Sequence, residues 1–311
     1  MKDIRIGIGI SDAGGTPLEA LLGQIEAAEG AGFQAVWIPN IFGADALTLC
    51  ALAGARTRRI EVATAVVPTF SRHPLYCAQQ ALTTQAALGG RFVLGLGPSH
   101  KIVIENMLGL SYEHPARHVR EYVTIVKRLM AGGPVQFEGE TYRVNGTLTV
   151  AGAAPPPPVL IGALGPRMRR IAGEIADGTI TWMTGPRALA QEVIPGVRGA
   201  AKAAGKPAPR IVAGFPIALT RDPDGARRRA GEMFALYGQL PSYRAMLDVE
   251  GAAGPADVAL AGDERDLERE IRRLADAGVT DFNAAVFAHG PDARADAART
   301  HAFLGDLAKR G

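Results

Sequence analysis

The sequence predicts an α/β fold, a (β/α)8 or TIM barrel with insertions after strands 4 and 7, and three observations lead there. Apolar, β-branched runs alternate with amphipathic stretches about eight times along the 311 residues. The connections between the runs are long enough to carry a helix, as parallel neighbouring strands require. No sustained antiparallel meander intervenes, and barrels of roughly 250 residues are ordinary, so residues 1–311 are expected to form a single barrel domain.

Ile4 to Ile10 is the first apolar run, and the stretch to Pro17 supplies turn residues, with Thr16 as a helix cap and Pro17 at the first helical position. Leu18, Leu21, Leu22, Ile25 and Ala28 carry the helical period until Gly30-Ala31-Gly32 stops it. Ala35 to Pro39 is the second strand, Asn40 to Gly43 its loop, and Asp45 to Thr57 the next helix. Ile60 to Val67 is the third strand: Ile60, Val62, Thr64, Val66 and Val67 are β-branched, and Pro68 ends the ladder by withholding a backbone donor. A helix over His73 to Leu88 stops at Gly89-Gly90. Arg91 to Gly97 is the fourth strand, opening into Pro98-Ser99-His100-Lys101.

Spacing widens in the second half. Pro115 to Met130 is a strongly amphipathic helix, and Pro134 to Val150, with turn residues at Glu138-Gly139-Glu140 and Asn145-Gly146, reads as a small β-hairpin excursion. Pro155 to Pro158 is a stiff spacer leading into the strand Val159 to Ala163. Helix over Pro166 to Ala176, strand over Gly178 to Met183, helix over Ala188 to Ala204 and strand over Arg210 to Thr220 follow. Ala226 to Leu247 is mainly helical, Asp263 to Ala277 helical, Val279 to Phe287 the last strand, and Asp292 to Lys309 the closing helix.

Composition excludes several classes of function. Lys and Arg number 34 against 31 acidic residues, and a net charge of +3 with a pI near 9.0 is too mild and dispersed for a nucleic-acid surface. No apolar run reaches the roughly 18 residues of a membrane span. The amino terminus lacks the basic and apolar regions of a signal peptide, and Cys50 and Cys77 read as reduced buried thiols, so a cytoplasmic location is expected.

In a barrel the site lies at the carboxyl ends of the strands. The residues there are Ser11 and Asp12, Asn40, Pro68 to His73, Gly97 to His100, Leu164 to Met168, Thr181 to Thr184, and the stretch after Phe287 with His289. Their histidines have no metal-ligand spacing; His114 and His118 form an i, i+4 pair, but Pro115 marks a helix start between them, so they read as capping or a solvated face. No Gly-x-Ser-x-Gly elbow is present. Ile161-Gly162-Ala163-Leu164-Gly165-Pro166-Arg167-Met168-Arg169-Arg170 passes from strand through a glycine loop into a helix. It reads either as a tight turn or as an anion cradle of backbone N–H groups, supplemented by Arg167 or Arg170. His73 reads either as the cap of its helix or as a ligand contact, while Trp37 and Trp182 read as core.

Several motifs together resemble the bacterial luciferase-like superfamily, over nearly the whole chain. They are Thr64-Ala65-Val66-Val67-Pro68 with Arg72-His73-Pro74, Gly89-Gly90-Arg91-Phe92 with Leu94-Gly95-Leu96-Gly97, Arg120-Glu121-Tyr122, and Ala172-Gly173-Glu174-Ile175-Ala176-Asp177-Gly178. Gly97-Pro98-Ser99-His100 and Ala163-Leu164-Gly165-Pro166 resemble most the actinobacterial branch that uses coenzyme F420, an 8-hydroxy-5-deazaflavin. The resemblance implies a homodimeric oxidoreductase whose Ala65–Val66 peptide is cis and backs the deazaflavin ring. It further implies that Gly97, Pro98, Ser99 and His100 border the ribityl side, and that Ala163, Leu164, Gly165, Pro166, Arg167 and Met168 hold the phosphate.

One departure bears on the reaction. Deazaflavin dehydrogenases of the superfamily carry an Asp-His pair after the second strand, where this chain has Pro39-Asn40. Asn40 can hydrogen-bond but cannot shuttle a proton. The expected chemistry is therefore hydride transfer from C5 of the reduced cofactor to an unsaturated small organic substrate. His100, His73 and Asn40 are the candidate reaction residues, and the proton comes from water, the substrate or a histidine. An FMN-dependent monooxygenase of the same superfamily and a non-catalytic flavin- or deazaflavin-binding barrel are the alternatives.

Overall fold

The structure, a computed structural model, describes residues 4–10, 15–290 and 292–310. Eight parallel strands form the barrel: β1 (Arg5–Gly9), β2 (Ala35–Ile38), β3 (Glu61–Thr64, resuming at Val67–Pro68), β4 (Phe92–Gly97), β5 (Val159–Gly162), β6 (Gly178–Trp182), β7 (Arg210–Leu219) and β8 (Asp281–Val286). Each pairs with its neighbour in chain order, and β8 with β1, so the sheet closes on itself. Closure leaves no unpaired edge. The two wide connections, residues 98–158 and 220–280, follow β4 and β7.

Period-two alternation sorts the strand residues by face. Ile6, Ile8, Val36, Ile38, Val62, Leu94, Leu96, Ile161, Ile211, Phe215 and Phe282 point outward and join the helices in one large apolar shell. Inward-facing Ala35, Trp37, Ala63, Val93, Leu160, Ile180 and Val212 fill the middle of the barrel, with Ala65 and Val66 packed on them. The amino end is plugged by charge. The Arg210 guanidinium binds Glu61 at 2.5 Å and Asp281 at 2.6 Å, and Arg5 adds contacts of 3.3 Å to both carboxylates. Asp281 is nearly inaccessible, its side chain 2% exposed, so the pairing compensates a desolvated charge. At the opposite, carboxyl end the inward positions Gly9, Gly97 and Gly214 make room for neighbouring side chains, Asn283, Val66 and Trp182 respectively, while nothing lies nearer than 3.9 Å to where a Cβ of Gly162 would stand.

Local differences from the sequence reading have physical causes. The first helix is Leu18–Ala31, with Pro17 in extended conformation at its cap instead of Thr16. The hairpin pairs Val135–Glu138 with Arg143–Gly146 around the Gly139 turn, so Asn145-Gly146 belongs to a strand and makes no turn. The Glu121 carboxylate grips that turn by accepting from the backbone N–H groups of Glu140, Thr141 and Tyr142 at 2.9–3.0 Å. A π-helix, Ile102–Met107, opens the insertion after β4. The insertion after β7 divides into Pro223–Met233, Ala235–Gln239, Pro241–Glu250 and Pro255–Val258, where Pro223, Pro241 and Pro255 each restart a helix. A short strand, Leu260–Gly262, then pairs with the overhanging end of β7 at Ile217–Leu219.

Candidate functional site

Strand β3 is interrupted where it reaches the mouth. Val62 opposes Phe92 and Ala63 opposes Val93, but beyond the break Val67 opposes Leu96 and Pro68 opposes Gly97. The sequence offset drops from 30 to 29, so β3 accommodates one extra residue in a bulge at Ala65–Val66. That peptide is cis. The Thr64 hydroxyl bridges the gap in the ladder, donating to the Gly95 carbonyl at 2.9 Å and accepting from the Gly95 N–H at 2.8 Å. Glycine is required at both facing positions: a Cβ at Gly95 would strike the Thr64 carbonyl, and one at Gly97 would come within 2.6 Å of Val66 Cγ2.

Helix amino termini around the mouth differ in whether side chains already occupy them. Helix Ala46–Arg56 receives Asp45, which accepts from Thr48 N–H at 2.9 Å, and Asn40, whose Oδ1 accepts from Ala46 N–H at 3.0 Å. Arg72 pairs with Asp45, tying the loop after β3 to that after β2. His73 caps helix Pro74–Ala87 through Nδ1, which accepts from Leu75 N–H at 3.3 Å; its exposed ring stands edge-on to Tyr76 and Tyr142. After β6, Glu250 reaches the Ala188 N–H at 2.8 Å. Helix Pro166–Glu174, after β5, has no side-chain cap, and the space around Gly165 is open. Uncapped helix amino termini of this kind can receive an anion through their N–H groups and dipole. Arg167 is exposed beside it, whereas Arg170 is engaged by Glu174 at 3.2 Å and Arg169 by Glu192 at 2.6 Å.

The structure separates the histidines. His118, read from sequence as capping or solvated, is instead 5% exposed, bonded to the Thr69 hydroxyl at 3.0 Å and stacked on Phe70 with ring centroids 3.7 Å apart. Desolvation holds its pKa down to about 4. His100 lies half-buried at the start of the β4 insertion, near Tyr237 and Tyr243, and burial lowers its pKa as well. It is brought beside Ser99, Pro98 and Gly97 but not into the ring cluster of His73. Tyr112 links the two regions by donating to the Ser99 carbonyl at 3.1 Å. Ser11 and Asp12 lie outside the described residues. His289 contacts Asp222 at 3.2 Å, at the start of the β7 insertion.

Two clefts flank this region. One of about 430 Å³ is bordered by Phe70, His114, Arg117, Glu140 and Tyr142; the other, about 520 Å³, runs between outer helices past Arg169, Arg170 and Glu192. Ion pairs cross both, Arg117 with Glu140 in the first. Among the described residues no group of three or more His, Cys, Asp or Glu side chains is placed to hold a metal ion. None of the described helices is long and apolar enough to cross a membrane.

The family described as luciferase-like monooxygenase matches residues 4–303. The chain belongs to that family. Among relatives in the luciferase-like group, a Mycobacterium tuberculosis protein provisionally named a coenzyme F420-dependent oxidoreductase is 34% identical over 59% of this chain and 57% of its own length. The 5,10-methylenetetrahydromethanopterin reductase of Archaeoglobus fulgidus is 31% identical over 66% of this chain, and this chain spans 62% of that protein. The F420-dependent glucose-6-phosphate dehydrogenase of Nakamurella multipartita is 31% identical over 81% of this chain and 71% of its own. The F420-dependent tetrahydromethanopterin reductase structure from Methanopyrus kandleri superposes with a TM-score of 0.78 at 22% identity, each chain covered to 97%. An FMN complex of a type II Baeyer–Villiger monooxygenase from Pseudomonas putida superposes at 0.77 with 17% identity, covering 98% of this chain and 97% of the other. These structural likenesses show the closed (β/α)8 barrel fold.

The uncapped helix terminus after β5 suits an anionic group. Apart from it, two buried polar atoms at this end of the barrel lack partners among the described residues, Trp182 Nε1 on β6 and Asn283 Oδ1 on β8, as do Trp37 Nε1 and Tyr122 Oη in the core. Sequence reasoning passed over Asn283; it placed Trp182 in the Thr181 to Thr184 stretch after its strand and read it as core. Asp281 and Asn283 did carry a signal: polar residues at alternate positions of an apolar strand all point inward.

Proposed function

We propose that this chain is a coenzyme F420-dependent oxidoreductase that reduces an unsaturated small organic substrate. The observation that carries the reading is the pairing of the Ala65–Val66 bulge with the uncapped Gly165–Pro166 helix terminus, a flat backing and an anion cradle on one barrel rim. The F420 named in the relatives fits both features. Ala65 and Val66 would back the ring, Gly97, Pro98, Ser99 and His100 would border the ribityl side, and Ala163 to Met168, with the exposed Arg167, would hold the phosphate. When bound and reduced, the cofactor supplies a hydride from C5, and a proton taken from solvent or a side chain completes the two-electron reduction of the substrate's multiple bond.

The chain's own groups orient and exclude. The Asn40 amide oxygen accepts from the Ala46 N–H at a helix terminus, so only its NH2 can face the mouth, and it moves no proton. His73 is occupied by helix capping, leaving His100 as the better placed of the two histidines. With its pKa lowered by burial, the His100 imidazole is neutral at neutral pH and can donate one hydrogen bond and accept one. As in the family it resembles, a homodimer is proposed, to be read by sedimentation.

Titrating the purified protein with F420 while following cofactor fluorescence tests the reading, with saturable quenching at micromolar concentration expected. Anaerobic mixing with reduced F420 and a panel of enones, imines and nitro compounds then reads turnover. Absence of binding removes the proposal. A second reading, an FMN-dependent monooxygenase, is favoured by the likeness to the FMN-bound barrel. Yellow colour on purification and oxygen consumption with reduced FMN would establish it instead.

A further inference from the structure

The wall of the mouth opposite the bulge is built differently from the rest of the rim. In a closed eight-stranded order, β7 faces β3 and β8 faces β4. A planar ring backed by Ala65 and Val66 therefore presents its free face to β7, β8 and the insertion after β7. That insertion supplies an aromatic wall, joined by Trp182 from β6 and His100 from the insertion after β4. Trp182 stands edge-on to Phe234 at 5.5 Å and to Tyr237 at 6.2 Å; Tyr237 meets Tyr243 at 5.0 Å; and His100 approaches Tyr243 at 5.9 Å. Interplanar angles of 57–76° leave ring faces turned away from one another.

Unpartnered polar atoms accompany these rings. Trp182 Nε1 and Asn283 Oδ1 are buried without hydrogen-bond partners among the described residues, and the Trp182 ring and the Asn283 amide nitrogen flank Gly214. A Cβ on that glycine would lie 2.9 Å from the Trp182 ring and 3.3 Å from Asn283 Nδ2. Asn283 is 8% exposed, and its amide offers an acceptor on one side and donors on the other. The structure also shows no hydrogen bond to the Tyr237 and Tyr243 hydroxyls among the described residues. A buried indole N–H left unpaired is costly, and a ligand carbonyl accepting from Trp182 Nε1, with the Asn283 amide nitrogen beside it, would remove that cost.

We propose that Trp182, Tyr237, Tyr243, His100 and Asn283 form the substrate chamber, and that it selects a planar, conjugated, uncharged molecule whose single carbonyl or N–H group is bound by the Asn283 amide. The proposal rests on the F420 reading for the placement of the ring. Burial keeps the chamber neutral: desolvation raises the tyrosine pKa values and lowers that of His100. None of the five side chains offers a countercharge to a phosphate or carboxylate, so a charged substrate would lose hydration without compensation. Conjugation keeps a substrate flat enough to lie between the cofactor ring and the aromatic wall.

Calorimetric titration of the full chain, alone and with saturating oxidised F420, tests this with three probes. They are (E)-4-phenylbut-3-en-2-one, its saturated counterpart 4-phenylbutan-2-one, and glucose 6-phosphate. The enone is expected to bind saturably, the saturated ketone about tenfold more weakly, and the sugar phosphate not at all. Tyr243→Ala and Trp182→Leu should each raise the enone Kd about tenfold while leaving the F420 Kd within about twofold. Asn283→Leu should weaken the enone similarly and raise the unfolding midpoint, because it removes an unpaired buried amide; a merely structural asparagine would lower the midpoint. Equal binding of the two ketones, competition by glucose 6-phosphate, or wild-type enone affinity in all three variants overturns the chamber. Enone binding with these sensitivities in a protein that ignores F420 supports the chamber and overturns the cofactor reading alone.

Discussion

Acidification should expose the burial of His118 as a stability loss that a single substitution removes. The ordinary histidine value is 6.5, and desolvation beneath the loop after β3 lowers it to about 4. Above 6.5 both folded and unfolded states hold a neutral ring, and the imidazole contributes no pH dependence. Between 6.5 and about 4 the unfolded chain takes up a proton that the folded chain refuses, so stability falls as pH falls. Integrating between those two values gives a loss of about 2 kcal/mol on going from about pH 7 to about pH 5. Most carboxylates remain ionised over that range, so they contribute little. His118→Gln keeps a polar partner for the Thr69 hydroxyl but cannot titrate. Urea unfolding of wild type and variant at the two pH values, followed by far-ultraviolet circular dichroism, should show a wild-type loss exceeding that of the variant by about 2 kcal/mol. Equal losses in the two proteins would refute the desolvation argument. The consequence for the site is local, since protonation would loosen Thr69 and Phe70 from the helix that holds them just beyond the bulge.

Other outcomes follow from the same structure. Arg210→Met should destabilise the fold by about 3–5 kcal/mol in denaturant titration, because it leaves Asp281 and Glu61 as uncompensated charges at the amino end of the barrel. Gly97→Ala places a methyl 2.6 Å from Val66 Cγ2, and fluorescence titration should show F420 binding weakened about tenfold with an unchanged circular dichroism spectrum. Arg167→Ala should weaken F420 about three- to tenfold and flatten the salt dependence of binding, since it removes the exposed cation beside the uncapped helix terminus. Because burial lowers the His100 pKa, any ionisation of this group in a pH–rate profile should fall below 6.5 and vanish in His100→Gln.

The barrel was legible because its signals are local. Alternation of apolar runs with helical periods, and punctuation by Gly30-Ala31-Gly32, Gly89-Gly90 and Pro166, depend on neighbours along the chain, and strand order then follows from the need for helical crossovers. Leu260–Gly262 escaped because Leu-Ala-Gly has no strand propensity of its own; the overhang of β7 beyond β8 recruits it. His118 was misplaced by giving weight to Pro115. The period of the same helix, with Val119, Tyr122, Ile125, Val126 and Leu129 all buried, puts residue 118 on the inner edge of the apolar stripe. The chemistry of the mouth was less legible for a different reason. Asn40, Val66, His100, Gly165, Trp182, Tyr243 and Asn283 come from the ends of different strands and from two insertions, and no spacing along the chain relates them. Their common feature is facing one axis, which a barrel imposes only after closure. Period-two inwardness can nominate such residues strand by strand, as it does for Asn283 and Trp182. The insertions have no such period, so the tyrosines that make the far wall aromatic emerge only when the helices after β7 fold back over the mouth.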